Sequence, residues 1–476
     1  MQKHQGLGNV LDSDRIGPLL LKLAIPAFFG MFVQTLYNVV NTIFVGHYVG
    51  PLGIAGLSIV FPLQMLAMGL GMMVGMGGAS LISRLLGIRD VDGAERTVGN
   101  GFTIGIVLYV LICIAVLPFM DFWLKLIGAS EAVLPYAKDY LSIIIMGSIF
   151  GIYSVALLSF ARAEGNARVG MIAMIIGAAL SIILSALFII PMKMGVVGAG
   201  LATIIAQFAS TLYLLSYYLT GSSYLRLRVA NFVPDLKILK AMFSIGIAAF
   251  AQTIASSLSA MILIHAVVAY GGDYALSAFG IIQRIMMFAI MPAIVMGQGS
   301  QPILGFNYGA RRFQRAIKTM RLSFFVATVL STGVFLVVYF IPETLIKIFS
   351  NDPELAATGA YASKLVFLSM PLMGVIMVST QVFQALGKAL QAFITAIVRP
   401  LVFMVPLVLL LPRFWQLNGV WLAFPFSDAL AAMLMVGMMI PIFRQFNREA
   451  KKVSQDMHTK NSSNQLLDAV KNPVIE

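Results

Sequence analysis

Apolar runs recur along the chain near residues 19–45, 54–83, 98–120, 139–160, 169–191, 196–220, 241–270, 276–301, 318–341, 361–386, 390–411 and 419–443. Crossing the hydrocarbon of a bilayer takes about 20 residues of helix, and each run is of that order. Helix is the predicted state, because backbone groups in lipid must be satisfied within their own segment. The short alternating segments of a membrane barrel are absent. The pattern therefore predicts an all-α membrane protein of about twelve transmembrane helices. Polar stretches divide it into a short segment 1–18, a six-helix lobe 19–225, a linker 226–240, a second six-helix lobe 241–444 and a tail 445–476. The tail is rich in Lys, Ser and Asn and is expected to be mobile.

Composition sharpens the class. Only 11% of residues are charged and 59% are hydrophobic, against about 25% charged in a soluble domain. The net charge of +13 would raise nucleic acid as a partner if the charges formed a patch. Instead Lys and Arg crowd alternate loops, among them Arg84, Arg89, Arg162, Arg168, Arg226, Arg311, Arg315 and Lys388. That bias sets orientation: the crowded loops and both termini are expected in the cytoplasm, with no nucleic-acid partner. The polar N-terminal segment does not read as a signal peptide. Cys113, the one cysteine, lies within an apolar run and reads as a packing residue.

The chain also repeats itself. Displaced by 222 residues, Tyr48 and Gly50 meet Tyr270 and Gly272, and Gly75 and Gly77 meet Gly297 and Gly299. Gly87 and Arg89 meet Gly309 and Arg311, while Ala163, Gly165 and Ala167 meet Ala385, Gly387 and Ala389. Six spans per half make the repeats parallel, related by an axis along the membrane normal. Two such lobes enclose a central cavity, and rocking one against the other gives alternating access, the build of a secondary transporter. The glycines from Gly69 to Gly78 read as helix packing, since no phosphate-loop ending follows them.

Polar positions inside the spans are candidate chemistry. Gln34, Tyr37, Asn38 and Asn41 share one stripe of the first helix, and Gln252, Ser256 and Ser259 share one of the seventh. Such stripes point inward and are candidates for lining the cavity. Asp428, Arg284 and Arg399 are ionisable groups within spans. Asp428 is read a few residues inside the membrane, as a helix-end carboxylate or a coupling group. An unpaired charge at mid-membrane costs at least about 2.5–3.5 kcal/mol, so the two arginines should pair, snorkel or face the cavity. His265 reads as interfacial, and Glu164 as a corner residue paired with Arg162 or Arg168. The four histidines are scattered, and neither a His-Glu-x-x-His motif nor a Gly-x-Ser-x-Gly elbow occurs. An enzyme is not expected, nor a bound metal.

Leu36 to Gly46, Arg162-Ala163-Glu164-Gly165-Asn166, Gln298 to Ala310 and Pro425-Phe426-Ser427-Asp428 resemble segments of the multidrug and toxic compound extrusion (MATE) transporters, in their MepA-type bacterial branch. The resemblance implies two six-helix lobes forming a V. It implies export of small amphipathic, cationic or drug-like molecules, driven by proton or sodium entry, by a monomer in the bacterial inner membrane. No other cofactor is implied. The alternative is a flippase of lipids or lipid-linked saccharides with related lobes. The family commonly carries Asp where this chain has Asn41, and Asn and Asp where it has Ser181 and Ser185; Thr203 and Gln207 look family-like. By resemblance, Asn41, Ser181, Ser185 and Thr203 are candidates for ion coupling or substrate binding, and Asp428 joins them as an ionisable group within a span. Gln207, Arg284 and Arg399 join the cavity candidates.

Overall fold

The computed structural model describes residues 8–13, 15–49, 51–349 and 352–471. Twelve helices in it are long and apolar enough to cross a membrane. The first lobe comprises α1 (Ile16–Asn41), α2 (Ala55–Gly87), α3 (Val91–Ile127), α4 (Leu134–Ala163), α5 (Ala167–Ile189) and α6 (Gly195–Leu219). The second comprises α7 (Leu236–Gly272), α8 (Tyr274–Gly309), α9 (Phe313–Phe340), α10 (Pro353–Ala385), α11 (Ala389–Leu410) and α12 (Pro412–Lys452). The short joint between α7 and α8 turns on Gly272, whose φ of 64° suits a residue without a side chain. The last helix runs on through the segment expected as a tail, as far as Lys471.

Three helices depart from regular geometry in the second lobe. α10 tightens to a 3-10 turn over Phe367–Ser369. α11 widens to a π-helix over Val398–Met404, where Pro400 removes a backbone donor. α12 is kinked at Gln416.

The lobes meet along the halves of α1, α2, α7 and α8 nearest the arginine-rich loops, here termed the basic end. A Cβ added to Gly87 would collide with the Phe306 carbonyl, and one added to Gly309 with the Arg84 carbonyl. Arg84 and Phe306 are themselves 222 residues apart, so the contact is reciprocal about a two-fold axis. Where α2 crosses α7, Gly77 likewise lies against the Met242 carbonyl and Gly246 against the Met73 carbonyl. Backbones this close leave room for nothing larger than glycine. Two polar bonds cross the same seam: the Ser80 hydroxyl donates to the Gln384 carbonyl, and Arg162 donates to Gln298. Toward the other end α1 and α8 touch through Phe32 and Phe288, ring centroids 5.9 Å apart. Beyond them Gly280 looks onto open space.

Candidate functional site

The polar residues of the first lobe converge on its interior. The Asn41 amide donates to Ser181 Oγ at 3.0 Å, tying α1 to α5. Ser181 and Ser185 are fully buried, four residues apart on one face of α5. Thr203 of α6, also buried, donates to the Ala199 carbonyl at 2.9 Å. Tyr140 of α4 interacts with Thr203 and Tyr37, and Tyr37 with Gln34. Among the described residues, Asn41 Oδ1 and Ser185 Oγ are buried with no hydrogen-bond partner. Buried oxygens left unsatisfied cost about 1–3 kcal/mol each, and oxygens are what an alkali cation takes as ligands. The set therefore fits a cation of low charge without supplying a countercharge. Gln207 is half-buried on α6, its amide close to Gly151. The Asn38 side chain lies outside the described residues. On α7, Ser256 is exposed and Gln252 half-buried.

The second lobe holds charge instead. Arg399 Nε donates to Asp428 Oδ1 at 2.6 Å, and the Ser369 hydroxyl donates to Oδ2 at 2.6 Å. Each irregular turn has a use here: Ser369 ends the 3-10 turn of α10, and Arg399 sits in the π segment of α11. Asp428 lies twelve residues beyond the kink at Gln416, a rise of about 18 Å. It is thus a mid-membrane group, deeper than the helix-end position expected from sequence, and it is 3% exposed. Among the described residues it is the one carboxylate at that depth. The repeat gives its counterpart: Gly198, Leu201, Ala202 and Gln207 run parallel to Gly419, Leu422, Ala423 and Asp428, one residue short of the earlier offset. Gly198 and Gly419 each pack against the end of the preceding span. The amide of one lobe is thus the carboxylate of the other.

Glu164 is not paired with arginine. Arg162 reaches across the seam to Gln298, and Glu164, 2% exposed, turns beneath the linker. Its Oε2 accepts from the Ser223 hydroxyl at 2.7 Å, the Tyr224 amide at 3.0 Å and the Tyr217 hydroxyl at 3.4 Å. Glu95 accepts from the Arg226 amide at 3.0 Å, and Asn100 from the Asp235 amide at 2.7 Å. The linker is strapped to the first lobe by buried acceptors, a role that sequence spacing did not suggest.

Burial pushes the Glu164 carboxyl up to about 7, and hydrogen bonds from Ser223 and the Tyr224 backbone offset only part of that rise. An acid raised in the folded state adds stability that is fully present below its ordinary value of 4.5 and is lost as pH rises through about 7. The strap should therefore loosen over that window. Hydrogen exchange at residues 223–226 should accelerate with pH beyond its intrinsic dependence, and Glu164→Gln should remove the excess.

Comparisons with known proteins agree with this architecture. The MatE family model matches residues 26–187 and 248–410, one match in each lobe. The multidrug export protein MepA of Staphylococcus aureus is 28% identical over 422 residues, covering 88% of this chain and 92% of its own. Among solved structures, the MATE multidrug transporter DinF-BH in complex with R6G is 40% identical, with a TM-score of 0.84 over 90% of this chain and 96% of that one. An outward-facing multidrug resistance MATE family transporter of the MOP superfamily is similar in fold, with 24% identity and a TM-score of 0.86.

Proposed function

The chain belongs to the MatE family of transporters, and we propose that it exports small amphipathic molecules by alternating access, driven by the entry of a cation. The basic end lies in the cytoplasm, so the glycine seam is the inner gate and the cleft above Phe32 and Phe288 faces outward. The observation that carries the coupling step is the Asp428–Arg399 pair. Coupling needs a group that holds a cation in one state and yields it in the other. A proton arriving on Asp428 cancels its charge, and Arg399 then loses its partner. A guanidinium left unpaired at mid-membrane is costly, so the π segment and its helix must shift until Arg399 finds water. Protonation and helix movement are linked in that way.

A second reading is favoured by one observation, the orphaned oxygens of Asn41 and Ser185. There a sodium ion would be held by Asn41, Ser181, Ser185 and Thr203, adding the positive charge that the first lobe lacks. The two readings differ in their gradients. Purified protein in liposomes, given a pH gradient or a sodium gradient, should expel an amphipathic dye under one of them. A pH gradient alone should suffice if Asp428 is the coupling group. Failure of every imposed gradient to move any dye would sink the exporter, and lipid scrambling would then be measured on the same vesicles.

A further inference from the structure

Arg284 has no place in the coupling scheme above. It stands on α8, eleven residues from Asp273 and outside any loop. Gly280, Arg284 and Phe288 follow at four-residue steps and share one face of that helix. The two flanking members show where that face looks. Phe288 touches Phe32 of α1 in the other lobe, and Gly280 has nothing within 4 Å of an added Cβ. The opposite side of α8 is occupied: Ala275 and Ile282 are buried in the core of the second lobe. Arg284 is exposed, so it projects into the cleft between the lobes one turn outward of their last aromatic contact.

The opposing wall offers it no carboxylate. Ala24 faces Gly299 and Phe32 faces Phe288, a register that sets Leu36 across from Arg284. Leu36 is 41% exposed, and the next polar groups on α1, Tyr37 and Asn41, are neutral. The one mid-membrane carboxylate among the described residues is Asp428, already held by Arg399 and Ser369. The cleft thus combines apolar walls with an accessible guanidinium. We propose that it selects amphipathic organic anions, whose carboxylate or sulfonate pairs with Arg284 while their apolar body lies against Leu36 and Phe288. A guanidinium presents two parallel donors to such a group, a geometry that a lysine does not reproduce. This selectivity rests on the exporter reading and reverses the cationic preference that the family resemblance implied.

The charge of the cargo has an energetic consequence. Exchange of an anion outward for a proton inward moves two charges in the same sense, and a membrane potential contributes about 2.3 kcal/mol per charge per 100 mV. Exchange of a monovalent cation for a proton moves none. Anion export should therefore respond to an imposed potential with no pH gradient present.

The test uses full-length protein in liposomes with two probes, 8-anilinonaphthalene-1-sulfonate as the anion and rhodamine 6G as the cation. Efflux is followed under a pH gradient and under a potassium diffusion potential. The wild type should prefer the anion by about tenfold, the worth of one charge-assisted contact, and an inside-negative potential should accelerate it. Arg284→Glu should reverse the preference and Arg284→Lys should keep part of it, which separates charge from folding. Export of rhodamine 6G in preference to the sulfonate, or an unchanged preference in Arg284→Glu, overturns the proposal while leaving the exporter standing. If neither probe moves under any gradient, the exporter reading falls and this inference with it.

Discussion

Asp428→Asn should abolish proton-driven export and lower initial rates by at least about tenfold, because the amide cannot release a proton at any accessible pH. The same substitution strands Arg399. Removing one partner of a buried ion pair costs about 3–5 kcal/mol, and the lower end applies here because the Arg399 side chain is 24% exposed. The thermal midpoint in detergent should fall accordingly. Asp428→Asn combined with Arg399→Gln removes both charges and should recover most of the midpoint without recovering transport. That combination separates the two roles of the pair. Transport by Asp428→Asn under a pH gradient at the parent rate would move the coupling site to the first lobe, and Asn41→Ala would be the next variant.

The second large effect is expected at the glycine seam. A leucine at Gly309 meets the Arg84 carbonyl, and one at Gly87 meets the Phe306 carbonyl. Neither obstacle is a side chain that could swing aside. Overpacking of this kind costs about 1–3 kcal/mol, which shifts a two-state equilibrium by about 5- to 150-fold. The penalty falls only on the state in which the seam is closed. Gly309→Leu and Gly87→Leu should therefore insert and fold, export poorly, and leave the basic end open to labels. Since the two contacts are related by the repeat, their effects should be similar. Cysteines placed beside the seam in a Cys113→Ser background would report labelling rates. A large defect in one variant and none in the other would contradict the reciprocal contact.

Much of this was legible in the chain alone. Long apolar runs with few charges leave helices as the one way through lipid, so the spans, their number and the lobes followed. The repeat was legible because glycines mark backbone approaches that tolerate no substitution, and Gly87 and Gly309 turn out to face one another's helices. The stripe on α1 reads as pointing inward, and its member Asn41 donates to Ser181 of α5. Pairings between distant helices were not legible. Nothing in local spacing says that Arg399 meets Asp428, twenty-nine residues on, or that Ser369 completes the set. The helix breaks that bring these three together are backbone departures of one turn, which apolar periodicity does not report. Glu164 was misread for a related reason. Its neighbours in sequence are arginines, but its neighbours in space belong to the linker after α6.

Rocking of the lobes is the motion on which export, coupling and the glycine seam all depend. Pulsed electron spin distances measure it directly in a Cys113→Ser protein labelled in two ways. One pair, Tyr48→Cys with Tyr270→Cys, reports the end away from the basic loops; both positions are exposed. The other, Ile88→Cys with Gln314→Cys, reports the basic end, also at exposed positions. When pH is lowered or an exported dye is added in liposomes, the first distance should shorten as the second lengthens. Distances that both stay fixed, or that change in the same sense, would contradict alternating access about the seam.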